Sequence, residues 1–224
     1  MRWVIDPVRG DQGDAPTRGH PPDRLPLLPP GSLSREQRIV YEALTGGPRG
    51  DDGLPPFMTD EEGRLLGPFN AMLYSPSVGL PLQELGAALR FRTAFTARER
   101  EIATLVVAAH TRSDYEWYAH ELLARRAGLT DDEIDALRQG RAPVPADVRE
   151  RIVYEATRQL LEEDDLGDAV FIEAAATLGR AAVVELVTLV GYYRALALQL
   201  RVFRVGVPEG EAPPEWPPAD GGPS

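Results

Sequence analysis

The chain contains no cysteine, which excludes disulfides, thiolate-bound metals and any thiol nucleophile. Only three histidines are present, His20, His110 and His120, so a site built from several imidazole ligands is not expected. Positive charge is also scarce, because 24 basic residues stand against 35 acidic ones and the formal net charge is −11. Nucleic acid and anionic lipid both require a basic surface. The sequence therefore predicts neither of these partners and no metal ion.

The first residues lack the apolar core of a secretory signal, which predicts a cytoplasmic protein. Residues 181–200 are mostly apolar and long enough to span a bilayer. However, Glu185 and Arg194 within this stretch would each cost about 2.5–3.5 kcal/mol at the centre of a membrane. A helix that is apolar almost all round is better explained as a core or subunit-interface helix. We therefore expect a homo-oligomer with no membrane partner.

The length of 224 residues suits one domain with a substantial core. Both ends are rich in Pro and Gly, which predicts flexible tails at residues 1–24 and 206–224 around a folded domain at 25–205. A similar stretch at 46–56 separates a first helix from the rest. Between these breaks the apolar residues follow the helical period, and no segment alternates with period two. The predicted fold class is all-α.

Four sequences of the form Ser/Thr-x-x-Glu/Gln predict helix starts by capping boxes. They begin at Ser34, Thr96, Ser113 and Thr130. The predicted helices cover, approximately, residues 34–45, 68–74, 78–91, 96–110, 113–127, 130–138, 146–162, 167–178 and 180–204.

The run from Ser113 to Glu121 holds the most informative spacing in the chain. Glu116 and His120 lie four residues apart and so share one face of a helix. A carboxylate that orients an imidazole raises its basicity, which suits proton transfer. Two alternatives stay open, because Glu116 could simply complete a capping box with Ser113 and His120 could be a hydrogen-bonded core residue.

Three further features surround this pair. Glu101 lies in a charged first turn, where it is either solvated or at the border of the core. Tyr115, Trp117 and Tyr118 form an aromatic group that either packs in the core or lines a pocket for a flat organic ligand. The sequence contains no phosphate-binding loop, no glycine-rich dinucleotide-binding motif, no zinc-protease motif and no nucleophile elbow of the α/β-hydrolase type.

The order of these elements resembles the carboxymuconolactone decarboxylase family, which includes the AhpD-like alkylhydroperoxidases. The resemblance covers roughly residues 25–205. It is carried by residues 66–73, 89–90, 98–102, 115–121, 127–130 and 185–193, of which Tyr-Glu-Trp-x-x-His is the most specific. It implies an AhpD-like helical bundle that assembles as a homo-oligomer, commonly a trimer or hexamer.

The peroxidase branch of this family carries a glutamate, then Cys-x-x-Cys, then a histidine four residues later. By resemblance, Glu101 matches the glutamate and His120 the histidine, whereas the cysteine positions fall on Ser113 and Glu116. Serine and a carboxylate cannot take part in thiol–disulfide exchange, so thiol peroxidase activity is not expected. The decarboxylase branch is more similar, and its reaction removes CO₂ from an unsaturated carboxylated lactone. It implies no cofactor, because the substrate itself delocalises the developing charge.

The leading hypothesis is therefore a cofactor-independent lyase or isomerase for a small carboxylated lactone or related organic acid. In it His120 moves a proton, Glu116 or Glu101 orients the imidazole, and Arg90 or Arg112 binds a substrate carboxylate. The other predicted substrate-binding residues are Ser113, Tyr115 and Trp117. The alternative is a non-catalytic relative that uses the same cavity for ligand binding or assembly. A carboxylate–imidazole pair in a concave pocket would favour the enzyme, and a histidine in a closed core the alternative.

Overall fold

The computed structural model describes residues 24–46, 55–144 and 147–218. Within these ranges the chain forms helices and no β-strand, which confirms the all-α prediction. A short 3₁₀ turn at Pro30–Ser32 precedes the α-helices. These are α1 (Arg35–Thr45), α2 (Gly67–Tyr74), α3 (Pro76–Phe91), α4 (Ala97–Thr111), α5 (Asp114–Arg126), α6 (Asp131–Arg138), α7 (Val148–Glu163), α8 (Asp168–Thr177) and α9 (Arg180–Phe203).

Three of the four predicted capping boxes form. Ser34, Thr96 and Thr130 each accept a hydrogen bond from the backbone three residues on, and the side chain at that position returns one. The fourth prediction, at Ser113, is wrong. Ser113 has ψ 99°, whereas the three working caps have ψ between 164° and 170°, and its side chain caps nothing. Glu116 is therefore free of a capping role.

Helix α4 is the centre of the bundle and packs against α5, α6, α7 and α9. Residues 101–108 are buried without interruption, as expected for a helix surrounded by others. The two-residue link Arg112–Ser113 returns the chain into α5, and Arg112 adopts the left-handed conformation at φ 49°. Since the link is so short, α4 and α5 lie side by side. This arrangement positions the site.

The predicted N-terminal tail, residues 1–24, lies outside the described residues except for Arg24, and so do residues 219–224. Residues 206–218 form no helix and lead back to the start of α5. There the Trp216 indole donates to Asp114 Oδ1 at 2.6 Å and meets Trp117 edge to face at 5.4 Å. Arg112 donates to the carbonyl oxygen of Pro217 at 2.9 Å. Composition alone did not predict these contacts.

By length and composition alone, helix α9 could cross a membrane. However, 44% of its 18-residue apolar stretch is buried inside the fold. One face, which includes Leu186, Leu189 and Leu196, belongs to the core. The placement agrees with the core-helix interpretation.

Candidate active site

A cavity of about 200 Å³ opens between α2, α3, α5, α9 and the loop before α2. A cavity of roughly 150 Å³ accommodates benzene, so this one suits a small organic molecule. Its walls are mainly apolar and aromatic, and a few polar groups converge on it. The polar and charged members are Arg90, Tyr115, Glu116, His120, Arg126, Tyr192 and Tyr193.

His120 is held at this cavity by a carboxylate from the neighbouring helix. Its Nδ1 lies 2.7 Å from Oε2 of Glu101, and both residues are buried, at 8% and 2% exposure. Tyr193 meets the imidazole edge to face at 4.9 Å. A buried carboxylate on Nδ1 fixes the ring orientation and leaves Nε2 for a reacting group. This is the geometry of a general acid/base pair.

The partner of His120 is thus Glu101 and not Glu116. The sequence left this choice open, because both carboxylates were candidates to orient the imidazole. It also left open whether the first turn of α4 is solvated. Glu101 is buried, so the solvated interpretation of this residue is wrong.

Glu116 has an environment of its own in the cavity wall. It is 3% exposed, and neither carboxyl oxygen has a hydrogen-bond partner among the described residues. Burial raises the pKa of Glu116 to about 8, and the neighbouring Ser113 hydroxyl only partly opposes this rise. The carboxyl group is therefore mostly protonated at pH 7. A neutral carboxylic acid can donate a proton or a hydrogen bond to a ligand.

Two arginines supply positive charge to the same cavity. Neither Arg90 nor Arg126 forms an ion pair with a described carboxylate, although the Arg90 guanidinium lies 5.6 Å from the centre of the Phe91 ring. Arginine stays charged throughout the physiological range and matches carboxylate geometry. With Glu116 neutral, the charges around the cavity favour an anionic ligand.

One aromatic wall is fixed by a close backbone approach. The hydroxyl group of Tyr115 donates to the carbonyl oxygen of Phe57 in the loop before α2. Gly67 packs against the ring, so that a Cβ atom there would lie 2.1 Å from Tyr115 Cζ. Gly67 also has φ +57°, which favours glycine. Tyr115 is therefore a rigid part of the wall.

The structure brings together five of the eight predicted site residues and places three elsewhere. His120, Glu116, Tyr115 and Arg90 line the cavity, and Glu101 lies behind His120. Trp117 is buried on another side of α5, where its indole donates to Glu121 at 2.8 Å. Arg112 borders a different cavity beside the C-terminal segment, and Ser113 is buried next to the cavity without lining it.

The sequence analysis missed three of the polar residues at the cavity. Arg126 follows Ala119 by seven residues, two helical turns, so helical spacing could have identified it. Tyr192 and Tyr193 come from α9, far along the chain, and no local pattern relates them to α5. Burial raises the pKa of the Tyr193 phenol, which therefore stays a hydrogen-bond donor. Among the described residues no group of three or more His, Asp or Glu side chains could hold a metal ion.

Comparison with known proteins gives one family match and several similar structures. Residues 76–159 match the model of the carboxymuconolactone decarboxylase family. No curated protein matches the chain. The segment contains all of α3 to α6 and most of α7, and thus includes Glu101, Glu116 and His120.

Three solved structures share the fold. An uncharacterised peroxidase-related protein with an AhpD core from Ralstonia eutropha JMP134 is 14% identical, with a TM-score of 0.66 over 85% of this chain and 95% of that one. A peroxidase-related protein from Silicibacter sp. TM1040 is also 14% identical, with a TM-score of 0.64 over 86% and 95%. The debrominase Bmp8, in complex with 2,3,4-tribromopyrrole, is 13% identical, with a TM-score of 0.58 over 79% and 90%. At these identities the likeness shows the fold alone.

Proposed function

We propose that this protein, whose residues 76–159 match the model of the carboxymuconolactone decarboxylase family, is a cofactor-independent acid/base enzyme. Its substrate is a small carboxylated lactone or a related organic acid, and its reaction is decarboxylation or isomerisation. The observation that carries the proposal is the Glu101–His120 pair, 2.7 Å apart and open to a small cavity. Such a pair in a concave site favours catalysis over the non-catalytic alternative.

Each polar group has a place in a proton-balanced decarboxylation. Arg90 and Arg126 bind the anionic substrate, and the aromatic walls exclude water from it. The bond to the departing carboxylate breaks, CO₂ leaves, and its electron pair moves into the conjugated system towards the carbonyl group. One proton is then delivered to carbon, from His120 or from the neutral carboxyl group of Glu116. In an isomerisation, His120 instead removes a proton from one carbon and returns it to another.

A screen of carboxylated lactones and unsaturated cyclic acids tests this proposal. Purified protein, treated with chelator, should release CO₂ or shift a double bond with at least one compound, as followed by ultraviolet absorbance and by gas analysis. Binding of several such acids without any turnover would favour the ligand-binding alternative. Failure of every acid to bind or react would overturn the proposal.

Arg90 and Arg126 should affect the affinity for substrate more than the rate of the chemical step in the bound complex. A charge-assisted hydrogen bond contributes about 1.5–3 kcal/mol, so Arg90→Gln or Arg126→Gln should raise KM by roughly 10–100-fold. Arg112→Gln is the matched control, because Arg112 borders the other cavity. Steady-state kinetics of the three variants check this expectation. An equal effect of Arg112→Gln would contradict the assignment.

Hydroperoxide reduction should be absent. The chain has no cysteine, so no thiol can pass through a sulfenic acid and return to its reduced state. Metal-free protein incubated with cumene hydroperoxide and dithiothreitol should consume peroxide no faster than buffer does. Saturable turnover in this assay would refute the expectation.

The protein should be a homo-oligomer that associates through α9. Its outward side exposes Val184, Val187, Leu198 and Val202, at 67%, 45%, 63% and 45%, in one stripe along the helix. Light scattering should report a mass well above the 24.5 kDa of one chain. Val187→Glu combined with Leu198→Glu should lower this mass, whereas Ile172→Glu, at an exposed apolar position of α8, should not. A wild-type monomer at micromolar concentration would contradict the prediction.

A further inference from the structure

Tyr193 of α9 differs from other tyrosines of the protein in the use of its hydroxyl group. The hydroxyl groups of four others each donate to a backbone carbonyl oxygen; these are Tyr41, Tyr74, Tyr115 and Tyr154. The hydroxyl group of Tyr193 forms no hydrogen bond with a described residue, and its oxygen is not among the polar atoms that the protein encloses completely. Since Tyr193 lines the active-site cavity, this hydroxyl group can be reached from the cavity.

Two aromatic rings hold the Tyr193 side chain in place beside the acid/base pair. The imidazole of His120 meets the phenol ring edge to face at 4.9 Å, and the ring of Tyr192 meets it edge to face at 5.3 Å. Tyr193 also packs against two of the hydrophobic clusters that form the core. A side chain held from several directions loses little conformational freedom when a ligand binds, so its hydroxyl group is preorganised for that ligand.

The surroundings of the phenol keep it protonated. Burial raises the pKa of Tyr193 well above its usual range, the charge of Glu101 raises it further, and the Arg90 guanidinium opposes this rise only in part. Tyr193 therefore acts as a hydrogen-bond donor and not as a base. Hydroxyl groups in protein interiors normally have a partner, so a donor that faces a cavity without a protein acceptor suits an acceptor on a ligand.

We propose that the Tyr193 hydroxyl group binds the carbonyl oxygen of the substrate and stabilises the negative charge that develops there. This inference rests on the proposed function, in which the electron pair of the broken C–C or C–H bond moves through the conjugated system onto that oxygen. Tyr193 donates a hydrogen bond to the oxygen and keeps its own proton. The electron pair returns to carbon when His120 or Glu116 delivers a proton there. With Arg90 and Arg126 on the carboxylate, the substrate class is an acid that also carries a carbonyl oxygen.

Two saturated acids that have no conjugated system to react test this contact without turnover. The first, γ-butyrolactone-γ-carboxylate, is a carboxylated lactone, and the second, tetrahydro-2-furoate, has the same ring without the carbonyl oxygen. Tyr193→Phe should weaken binding of the lactone acid by roughly 5–10-fold, as expected for the loss of one hydrogen bond. The affinity for tetrahydro-2-furoate should stay within about twofold of the wild-type value. Isothermal titration calorimetry measures both affinities.

The kinetics of the same variant test the action on developing charge. With the substrate found in the screen, Tyr193→Phe should lower kcat by about 10²–10³-fold, the usual effect of removing one donor to a developing oxyanion. KM should change by less than about tenfold, because the hydrogen bond is stronger in the transition state than in the bound substrate. Steady-state measurements over a range of substrate concentrations separate the two parameters.

Tyr41→Phe is the matched control, because the Tyr41 hydroxyl group donates to the carbonyl oxygen of Gly63 and Tyr41 does not line the cavity. This control should lower the melting temperature and leave both affinities unchanged. Tyr193→Phe removes no hydrogen bond within the protein and should keep the wild-type melting temperature. Equal weakening of both acids, an unchanged affinity for the lactone acid, an unchanged kcat, or a loss of stability as large as in Tyr41→Phe would overturn the inference. Wild-type protein that binds neither acid would also overturn it, whatever the screen finds. If binding of the lactone acid depends on Tyr193 and no acid is ever turned over, the proposed function fails while the contact with the carbonyl oxygen stands.

Discussion

Replacing His120 by glutamine is expected to lower kcat by about 10²–10⁴-fold, because general acid/base catalysis typically contributes that much. In free energy this is roughly 3–5 kcal/mol of the barrier. Glutamine can still form a hydrogen bond with Glu101, so the fold should be retained. It cannot carry a proton at neutral pH, so the chemical step is lost. Single-turnover rates with the substrate found in the screen, together with circular dichroism, measure both effects.

His110→Gln provides the matched control for this prediction. His110 is exposed in the last turn of α4 and lies outside the active-site cavity. Its substitution should leave kcat within about twofold of the wild-type value, since a surface change away from the site has little effect. A near-native rate for His120→Gln on the true substrate would remove His120 from the catalytic assignment.

Glu116→Gln should stabilise the folded protein at high pH by several kcal/mol, on the order of 4. Burial raises the pKa of Glu116 from its ordinary value of 4.5 to about 8 in the folded state. Between these values the native protein holds a proton that the unfolded chain has released, so wild-type stability falls as the pH rises from about 4.5 to 8. Glutamine resembles the protonated carboxyl group at every pH and removes this loss. The advantage of the variant should therefore be small at pH 4.5 and largest at pH 8 and above.

Urea unfolding at pH 5, 7 and 9 measures this difference in the free energy of unfolding. Glu121→Gln is the matched control, because it replaces a glutamate of the same helix that is partly exposed and paired with Arg125. That control should not gain stability relative to the wild-type protein as the pH rises. A constant difference between Glu116→Gln and the wild-type protein over this range would show that the Glu116 carboxyl group is not held protonated.

The two glutamates of the site should also separate in kinetics. Glu101→Gln should lower kcat, because Glu101 holds the imidazole that is proposed to carry the proton. Glu116→Gln should instead lower the rate of turnover at the pH values where the protonated carboxyl group of Glu116 supplies the proton. Glutamine can donate a hydrogen bond there but no proton. Both carboxylates were candidates for one role in the sequence, whereas in the structure Glu101 contacts the imidazole and Glu116 lines the cavity wall.

The sequence determined the features that depend on neighbours within a few residues or on composition. The capping boxes at Ser34, Thr96 and Thr130 close within one turn, so their helices begin where the pattern predicts. The helical period along α4 and α9 was enough to predict an all-α fold. The absence of cysteine by itself excludes thiol chemistry. The spacing of Glu116 and His120 pointed to α5, and both residues line the cavity in the structure.

Only the tertiary structure decided which side chains meet across helices. Glu101 and His120 are separated by 19 residues, and their hydrogen bond depends on how α4 and α5 lie together after the short link at Arg112. That same link sets the backbone of Ser113 so that its capping box fails, which leaves Glu116 buried and unpaired. Helix α9 then brings Tyr193 against His120 from far along the chain. Burial and partner choice are properties of packed surfaces, and local spacing cannot encode them.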